Sequence, residues 1–446
     1  MNWLINKLDQ FDDSIVIIQD DISYTYKQLF NNIKYIKENI IKHKIKPGEV
    51  VSILSDYSFS SISLLLALHE NKNIIVPITT KISLEINERI EVSFTSKSIS
   101  VNKGEFEINN HEVRGSHQMI KSLQVKKSSG LILFSSGSTG APKAMMHNFD
   151  TLIDKYSGKK EKSMNMILFL MFDHIGGLNT LLNILSTGAT AVIPKNRNAD
   201  DVCKLIQDYD IRILPSSPTF LNLILMNASH TKYNLTSLRM VTYGTEVMPE
   251  SLLRRLKRSF PKVKFLQTFG TSETGIANTS SQSSNSTFMK INDPNLEYRI
   301  VDNELWLKSK TQVIGYLNSS MENFTDDGWF KTGDLVETDD AYIKIVGRNK
   351  EIINVGGEKV LPNEVEAILL SIDEIADVMV YGEVNIITGQ TVVCDVVLET
   401  DIETIDIKKI IRKHCKENLA NYKIPTKVNV VQKTNFNNRF KKIRIK

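Results

Sequence analysis

The stretch LILFSSGSTGAPK, Leu131–Lys143, decides the fold. Four apolar residues in succession read as a buried strand, and a run of hydroxyls and glycines follows without a spacer. Gly137 and Gly140 permit backbone conformations that turn N–H groups toward one point. Ser135, Ser136, Ser138 and Thr139 add hydroxyl donors, and Lys143 closes the run with a positive charge. Such a loop at a strand end suits a polyphosphate; the plain alternative is a solvated Ser/Gly turn. It is not the GxxxxGK(S/T) loop of P-loop NTPases, because Pro142 precedes the lysine and no hydroxyl follows it.

Outward from this strand, helix and strand patterns alternate. Residues 23–43 (SYTYKQLFNNIKYIKENIIKH) space their apolar residues helically, and SISLLLALHE (61–70) is also helical. VVSIL (50–54) and NIIVPI (73–78) read as buried strands. Downstream, MILFLMF (166–172), ATAVIP (189–194), IRILPSS (211–217), LRMVTYG (238–244) and KFLQTFG (264–270) read as further strands, most of them separated by helices. This alternation predicts an α/β fold with parallel sheets covered by helices. TSSQSSNST (279–287) reads as a loop; ELWLKS, GWFKTGDLVE and YIKIVGR then suggest a smaller β-rich unit. After Arg348 the style changes: a helix over 363–372, strands in ADVMVYG and TVVCDVVLE, and a helix over 407–419 predict a compact α+β domain.

The 446 residues carry 41% hydrophobic and 24% charged side chains, a soluble globular composition. A net charge of +4 against 55 basic and 51 acidic groups argues against a general nucleic-acid or membrane-surface binder. Cys203, Cys394 and Cys415 form no CxxC pair and no zinc spacing, as expected for unpaired thiols in a reducing, cytoplasmic setting. The opening MNWLINKLDQF lacks a long apolar core and reads as mature protein. MILFLMF, the longest apolar run, falls far short of the ~20 residues that span a bilayer.

Six segments, in order, resemble the adenylate-forming superfamily of acyl-CoA synthetases, peptide-synthetase adenylation domains and luciferases. Ser135–Lys143 fits the family's (S/T)SG(S/T)TGxPK loop, and YGTE (243–246) is similar to its adenine-contacting segment. FGTSETG (269–275), WFKTGDL (329–335), GRNKEIINVGGEKVLPNEVE (347–366) and LANYKIP (419–425) follow. The resemblance runs from about residue 23 to the end. It implies a large N-terminal domain of stacked mixed α/β subdomains with a β-rich unit, residues 1–347, and a small mobile α+β C-terminal lid, residues 348–446.

The resemblance also implies roles. ATP binds with its phosphates on Ser135–Lys143 and its adenine beside Gly244, Thr245 and Glu246. Phe269, Gly270, Thr271 and Ser272 adjoin the nucleotide, and Phe269 stacks on adenine unless it is a core aromatic. Glu273, a hard oxygen ligand, suits Mg2+ bridging phosphates, the alternative being a helix-capping acid. Asp334 accepts from ribose hydroxyls, and Arg348 offers a planar donor fork; a turn-capping Asp and a surface Arg are their plain alternatives. His174 gates the mouth of an acyl pocket drawn from residues 174–179, 215–220 and 242–245, the alternative being a structural histidine. Asp173 precedes it, but the spacing to Gly176-Gly177 gives the family position to His174, and no amino-acid substrate is inferred. Lys350 takes the hinge position, and Gly356 and Gly357 pass a thiol channel.

The C-terminal NNRFKKIRIK is similar to the family's TxxGK-like terminus, whose lysine bonds the carboxylate and α-phosphate. With Lys441 in the place of the glycine and Asn438 in that of the threonine, Lys442 becomes the catalytic lysine; Lys441 is the rival, and a plain basic tail the alternative. The implied activity is ATP- and Mg2+-dependent activation of a small-molecule carboxylic acid, then transfer to a thiol, first of all CoA, with the phosphopantetheine of a separate carrier protein as the alternative. A homodimer is compatible with it. A nucleotide-binding protein without catalysis is the reading of another class, since the segment before Ser135 is short for the family.

Overall fold

A computed structural model describes residues 3–102, 104–135, 142–399 and 402–444. Two seven-stranded sheets form the body. The first runs in the order Lys264–Gln267, Met240–Tyr243, Ile213–Ser216, Asn165–Ile167, Thr190–Ile193, Ile15–Gln19, Ile22–Thr25. Its pairings are parallel up to Ile15–Gln19, which forms a hairpin with the last strand. In the second sheet Gly130–Ser135, Ile74–Ile78, Val50–Leu54 and Lys97–Asn102 pair in parallel. Antiparallel strands Lys143–Asn148 and Glu105–Asn110 flank them. Parallel strands buried on both faces read as unbroken apolar runs, which is why the sequence showed them.

Helices Tyr26–Lys42 and Phe59–Glu70 pack between the two sheets in one continuous core. Each starts at a side-chain capping box, Thr25 with Gln28 and Ser58 with Ser61. The helix Ile175–Thr187 is buried nearly all round, so its sequence carries little amphipathic signal. A third, antiparallel sheet of six strands spans Thr279–Arg348. The 3-10 turn Asn349–Glu351 separates it from a five-stranded C-terminal sheet packed against helices Pro362–Leu369 and Thr404–Asn418.

Two sequence expectations are corrected. The apolar run 166–172 is a strand only over Asn165–Ile167. Leu168, Phe169 and Phe172 are buried as a descending connection that delivers Asp173 and His174 to the next helix. Residues 279–287 are not wholly loop, because Thr279–Ser281 pairs with Met289–Ile291. The three cysteines are free and buried, and among the described residues no helix is long and apolar enough to cross a membrane.

Candidate active site

Residues 136–141, which hold Ser136, Gly137, Ser138, Thr139 and Gly140, lie outside the described residues. Their anchors are described: Ser135 ends one strand and Lys143 opens the next, and the two are register partners. The Lys143 ammonium lies 5.3 Å from the centre of the Tyr316 ring. The Tyr316 hydroxyl in turn donates to Glu273 Oε1 at 3.0 Å. Burial, then the Glu273 charge, pushes that phenol well above its usual range, so it stays a donor. Asn318 fixes the end of the loop from below, donating to Pro142 O at 2.9 Å and accepting from Ala144 N at 2.9 Å. No motif pointed to Tyr316 or Asn318; both lie on an edge segment whose placement is purely tertiary.

Glu273 sits on a tight connection between Phe269–Thr271 and Gly275–Ala277. Gly270 is required there, since a Cβ would meet Gly275 O at 2.4 Å. Ser272 is half-buried beside Glu273. Thr271 is turned inward, its hydroxyl 3.0 Å from that of Thr274. Phe269 is half-buried and packs on the core of the β-rich sheet, so it combines the core role with a free face. Gly244 passes against Thr268, 2.8 Å from its carbonyl to a built Cβ, and Thr245 takes a left-handed φ of 71°.

Asp334 and Arg348 are cross-strand partners, and Arg348 Nε donates to Asp334 Oδ1 at 2.7 Å. Asp334 is 2% exposed, and its Oδ2 has no hydrogen-bond partner. Burial, opposed by Arg348, leaves this carboxyl above the ordinary aspartate range. A buried, unused acceptor is costly unless a ligand donates to it.

The C-terminal tail enters this groove as a hairpin. Phe436 bridges Lys442, and Phe440 N donates to Asn437 O at 2.9 Å. Asn437 Oδ1 accepts from the N–H groups of Arg439 and Lys441, at 2.9 and 3.1 Å. Phe440 adopts φ 52°, the left-handed position that follows a type I turn in a short hairpin and favours glycine. In this turn Phe440 carries the backbone angle of a glycine, Asn437 supplies the side-chain acceptor, and Lys441 is the residue that follows.

The Lys442 ammonium, the sequence's first choice for the catalytic cation with Lys441 as its rival, points away from the groove in this structure. That side chain is 9% exposed and points back into its own domain, 3.1 Å from Asp377 Oδ1, and donates to Val378 O at 2.5 Å. Lys441 instead shares its surroundings with Arg348, Glu351, Glu246 and Lys350, and its charge is felt at Asp334 and His174. Burial first, then Arg348, lowers its ammonium to about 8. Glu246 is turned toward the tail: Oε2 accepts from the Thr219 hydroxyl at 2.6 Å and Oε1 from Lys442 N at 2.7 Å.

His174 caps the helix Ile175–Thr187, its Nδ1 accepting from Gly176 N at 3.1 Å. Burial, reinforced by Arg439 and Lys441, lowers its pKa to about 3, so the ring is neutral. The neighbouring Asp173, 3% exposed, pairs through Oδ2 with Arg89 at 3.3 Å and with Arg439 at 3.7 Å. Lys350 is exposed in the turn between the two units. Gly356 and Gly357 form a left-handed turn at φ 60° and 93°, and Gly356 N donates to Thr388 O within its own domain. The described orientation thus brings the tail, and not this glycine turn, to the groove.

The AMP-binding enzyme family model matches residues 5–318, and the model of the AMP-binding enzyme C-terminal domain matches residues 364–441. A 2-succinylbenzoate–CoA ligase of Bacillus licheniformis is 26% identical over 95% of this chain and 94% of its own length. The o-succinylbenzoate CoA synthetase of Bacillus subtilis, solved with its acyl-adenylate intermediate, superimposes with a TM-score of 0.78 at 22% identity, covering 99% of this chain and 97% of the other. The anthranilate CoA ligase AuaEII, solved with anthranoyl-AMP, gives 0.83 at 19% identity, covering 99% and 95%. With both family models matched along its length, the chain belongs to the AMP-binding enzymes.

Proposed function

We propose that the protein is an AMP-forming acid–thiol ligase that joins an acyl or aryl carboxylic acid to CoA through an acyl-adenylate. The observation that carries this reading is the seating of the C-terminal hairpin that bears Lys441 on the N-terminal unit, through Arg439 to Asp173, Ser217 to Phe440 O and Lys442 N to Glu246. Relatives named as CoA ligases for aromatic acids support the substrate class and favour CoA over a carrier protein.

In the first half-reaction a carboxylate oxygen attacks the α-phosphorus of ATP, and the bond to the pyrophosphate oxygen breaks. Positioning and charge stabilisation dominate such a displacement. The Ser135–Lys143 segment cradles the phosphates. Asp334 Oδ2, buried and unpaired, accepts from a ribose hydroxyl, while Arg348 orients it. The Lys441 ammonium lies against the carboxylate and α-phosphate and offsets the charge that develops. Glu273, held by Tyr316, is a hard carboxylate that would hold Mg2+, and the ion would supply positive charge for the phosphates. His174, neutral, stands at the entrance to the acyl pocket.

In the second half-reaction the C-terminal domain turns about Lys350, withdraws Lys441 and presents Gly356–Gly357 beside the incoming thiol. The thiol sulfur then forms a thioester and AMP leaves. A cytoplasmic setting, with its CoA and reduced thiols, agrees with the three free cysteines.

Pyrophosphate exchange into ATP, run across fatty, aromatic, hydroxy and amino acids and followed by CoA addition, tests the reading. Acid-dependent exchange and a CoA thioester with an acyl or aryl acid are expected. Exchange absent with every acid, despite tight binding of an acyl-AMP mimic, would leave a nucleotide-binding protein without catalysis.

A further inference from the structure

Residues 439–442 form the part of the C-terminal domain that enters the groove, and three of the four are fastened to the N-terminal unit. Arg439 pairs with Asp173 at 3.7 Å and reaches Phe134 O at 3.4 Å. The Lys442 N–H donates to Glu246 at 2.7 Å. Between them, the ring of Phe440 meets Phe169 and Phe220 at centroid distances of 5.3 and 4.9 Å and Phe436 of its own hairpin at 5.7 Å. Its carbonyl accepts from the Ser217 hydroxyl at 3.0 Å. The Ser217 oxygen also caps the helix Pro218–Met226 by accepting from Phe220 N, so this seat belongs to rigid structure. Lys441, in the middle, is the residue these anchors point.

The local backbone alone would choose glycine at 440, because φ 52° disfavours a side chain. A phenylalanine there answers to something beyond the turn, and its surroundings identify it: the ring packs on the second hydrophobic core of the N-terminal unit, where Phe169 and Phe220 are 1% and 0% exposed. Phe440 itself stays half-buried, so it is seated rather than incorporated. Aromatic pairs at these separations contribute beyond their buried area.

We propose that Phe440 is a positioning residue for Lys441: its ring is the knob that seats the tail hairpin on the N-terminal unit, and its withdrawal limits entry to the thiol step. This rests on the two half-reactions proposed above. The rotation that removes Lys441 must also lift the ring from Phe169 and Phe220 and break the Ser217 bond. The same contact therefore speeds adenylation by holding Lys441 and slows the change of orientation.

Phe440→Gly separates the two effects, because glycine suits the left-handed backbone and leaves the hairpin unstrained. Pyrophosphate exchange is expected to fall by between about tenfold and a hundredfold, the scale on which misplacing a catalytic group acts. Thioester formation from supplied acyl-adenylate should be faster, an unchanged rate would contradict the limit on entry, and Phe440→Met, which refills the seat, should recover part of the exchange. Unchanged exchange, or both half-reactions falling together, overturns the proposal. A readout independent of activity is trypsin cleavage after Arg439, Lys441 and Lys442 in the full chain. Faster cleavage in Phe440→Gly supports the knob and equal rates overturn it, even if no acid supports exchange and the functional reading itself fails.

Discussion

Arg348 Nε lies 2.7 Å from Asp334 Oδ1, while the other carboxylate oxygen of Asp334 is buried with no partner. The two residues face each other across the last hairpin of the third sheet, so the backbone fixes their spacing. One oxygen of a buried carboxylate is thus satisfied by protein, and on the proposed function the other accepts from the nucleotide.

Asp334→Asn keeps the shape and weakens the acceptor, at the cost of the charged partner of Arg348. A hydrogen bond to a charged group contributes roughly 1.5–3 kcal/mol, so the KM for ATP should rise by about tenfold to a hundredfold. Steady-state exchange kinetics check this; an unchanged KM would mean that the free oxygen does not face the nucleotide.

Tyr316 orients Glu273 through a 3.0 Å bond. Removing groups that orient a metal-binding side chain typically costs about 10–100-fold in metal affinity. Tyr316→Phe should therefore raise the Mg2+ concentration needed for half-maximal exchange on that scale and leave the KM for the acid near its starting value. Magnesium titrations of the two proteins read the difference directly.

Lys441 is lowered to about 8 by burial and by Arg348. On the proposed mechanism its cationic form acts, so kcat/KM for adenylation should decline as pH rises through about 8, and Lys441→Arg should move that limb to higher pH. Stability runs the other way. A lysine depressed in the fold gains stability as pH rises from about 8 toward its unfolded value near ~10.4, because deprotonation relieves the buried charge. Alkaline loss of activity without loss of folded signal separates titration from unfolding.

Lys350 is exposed in the turn joining the two units, where a substitution disturbs little packing. Lys350→Pro should restrict rotation, spare exchange and slow thioester formation in single-turnover assays. Equal loss of both half-reactions would count against a hinge at this position.

Much of this architecture was legible beforehand because both-face-buried strands leave unbroken apolar runs, as at Val50–Leu54 and Ile74–Ile78. The run 166–172 misled because burial, not strand pairing, keeps Leu168, Phe169 and Phe172 apolar. Asp334, Arg348 and Glu273 were readable as motif residues. Tyr316 and Asn318 were not, since their meeting with Glu273 and Ala144 depends on a long-range edge pairing. At the tail the sequence left Lys442 and Lys441 as rivals, because Phe440 hides a glycine-like turn under an aromatic side chain that only its backbone angle reveals.

The most direct test compares Lys441→Ala with Lys442→Ala in pyrophosphate exchange and in thioester formation from supplied acyl-adenylate. Lys441→Ala should lose exchange heavily while still consuming the adenylate. Lys442→Ala leaves Asp377 buried without its cation, so it should lower the Tm while its folded fraction retains most of the exchange. Exchange that survives in Lys441→Ala and disappears in folded Lys442→Ala would contradict the account.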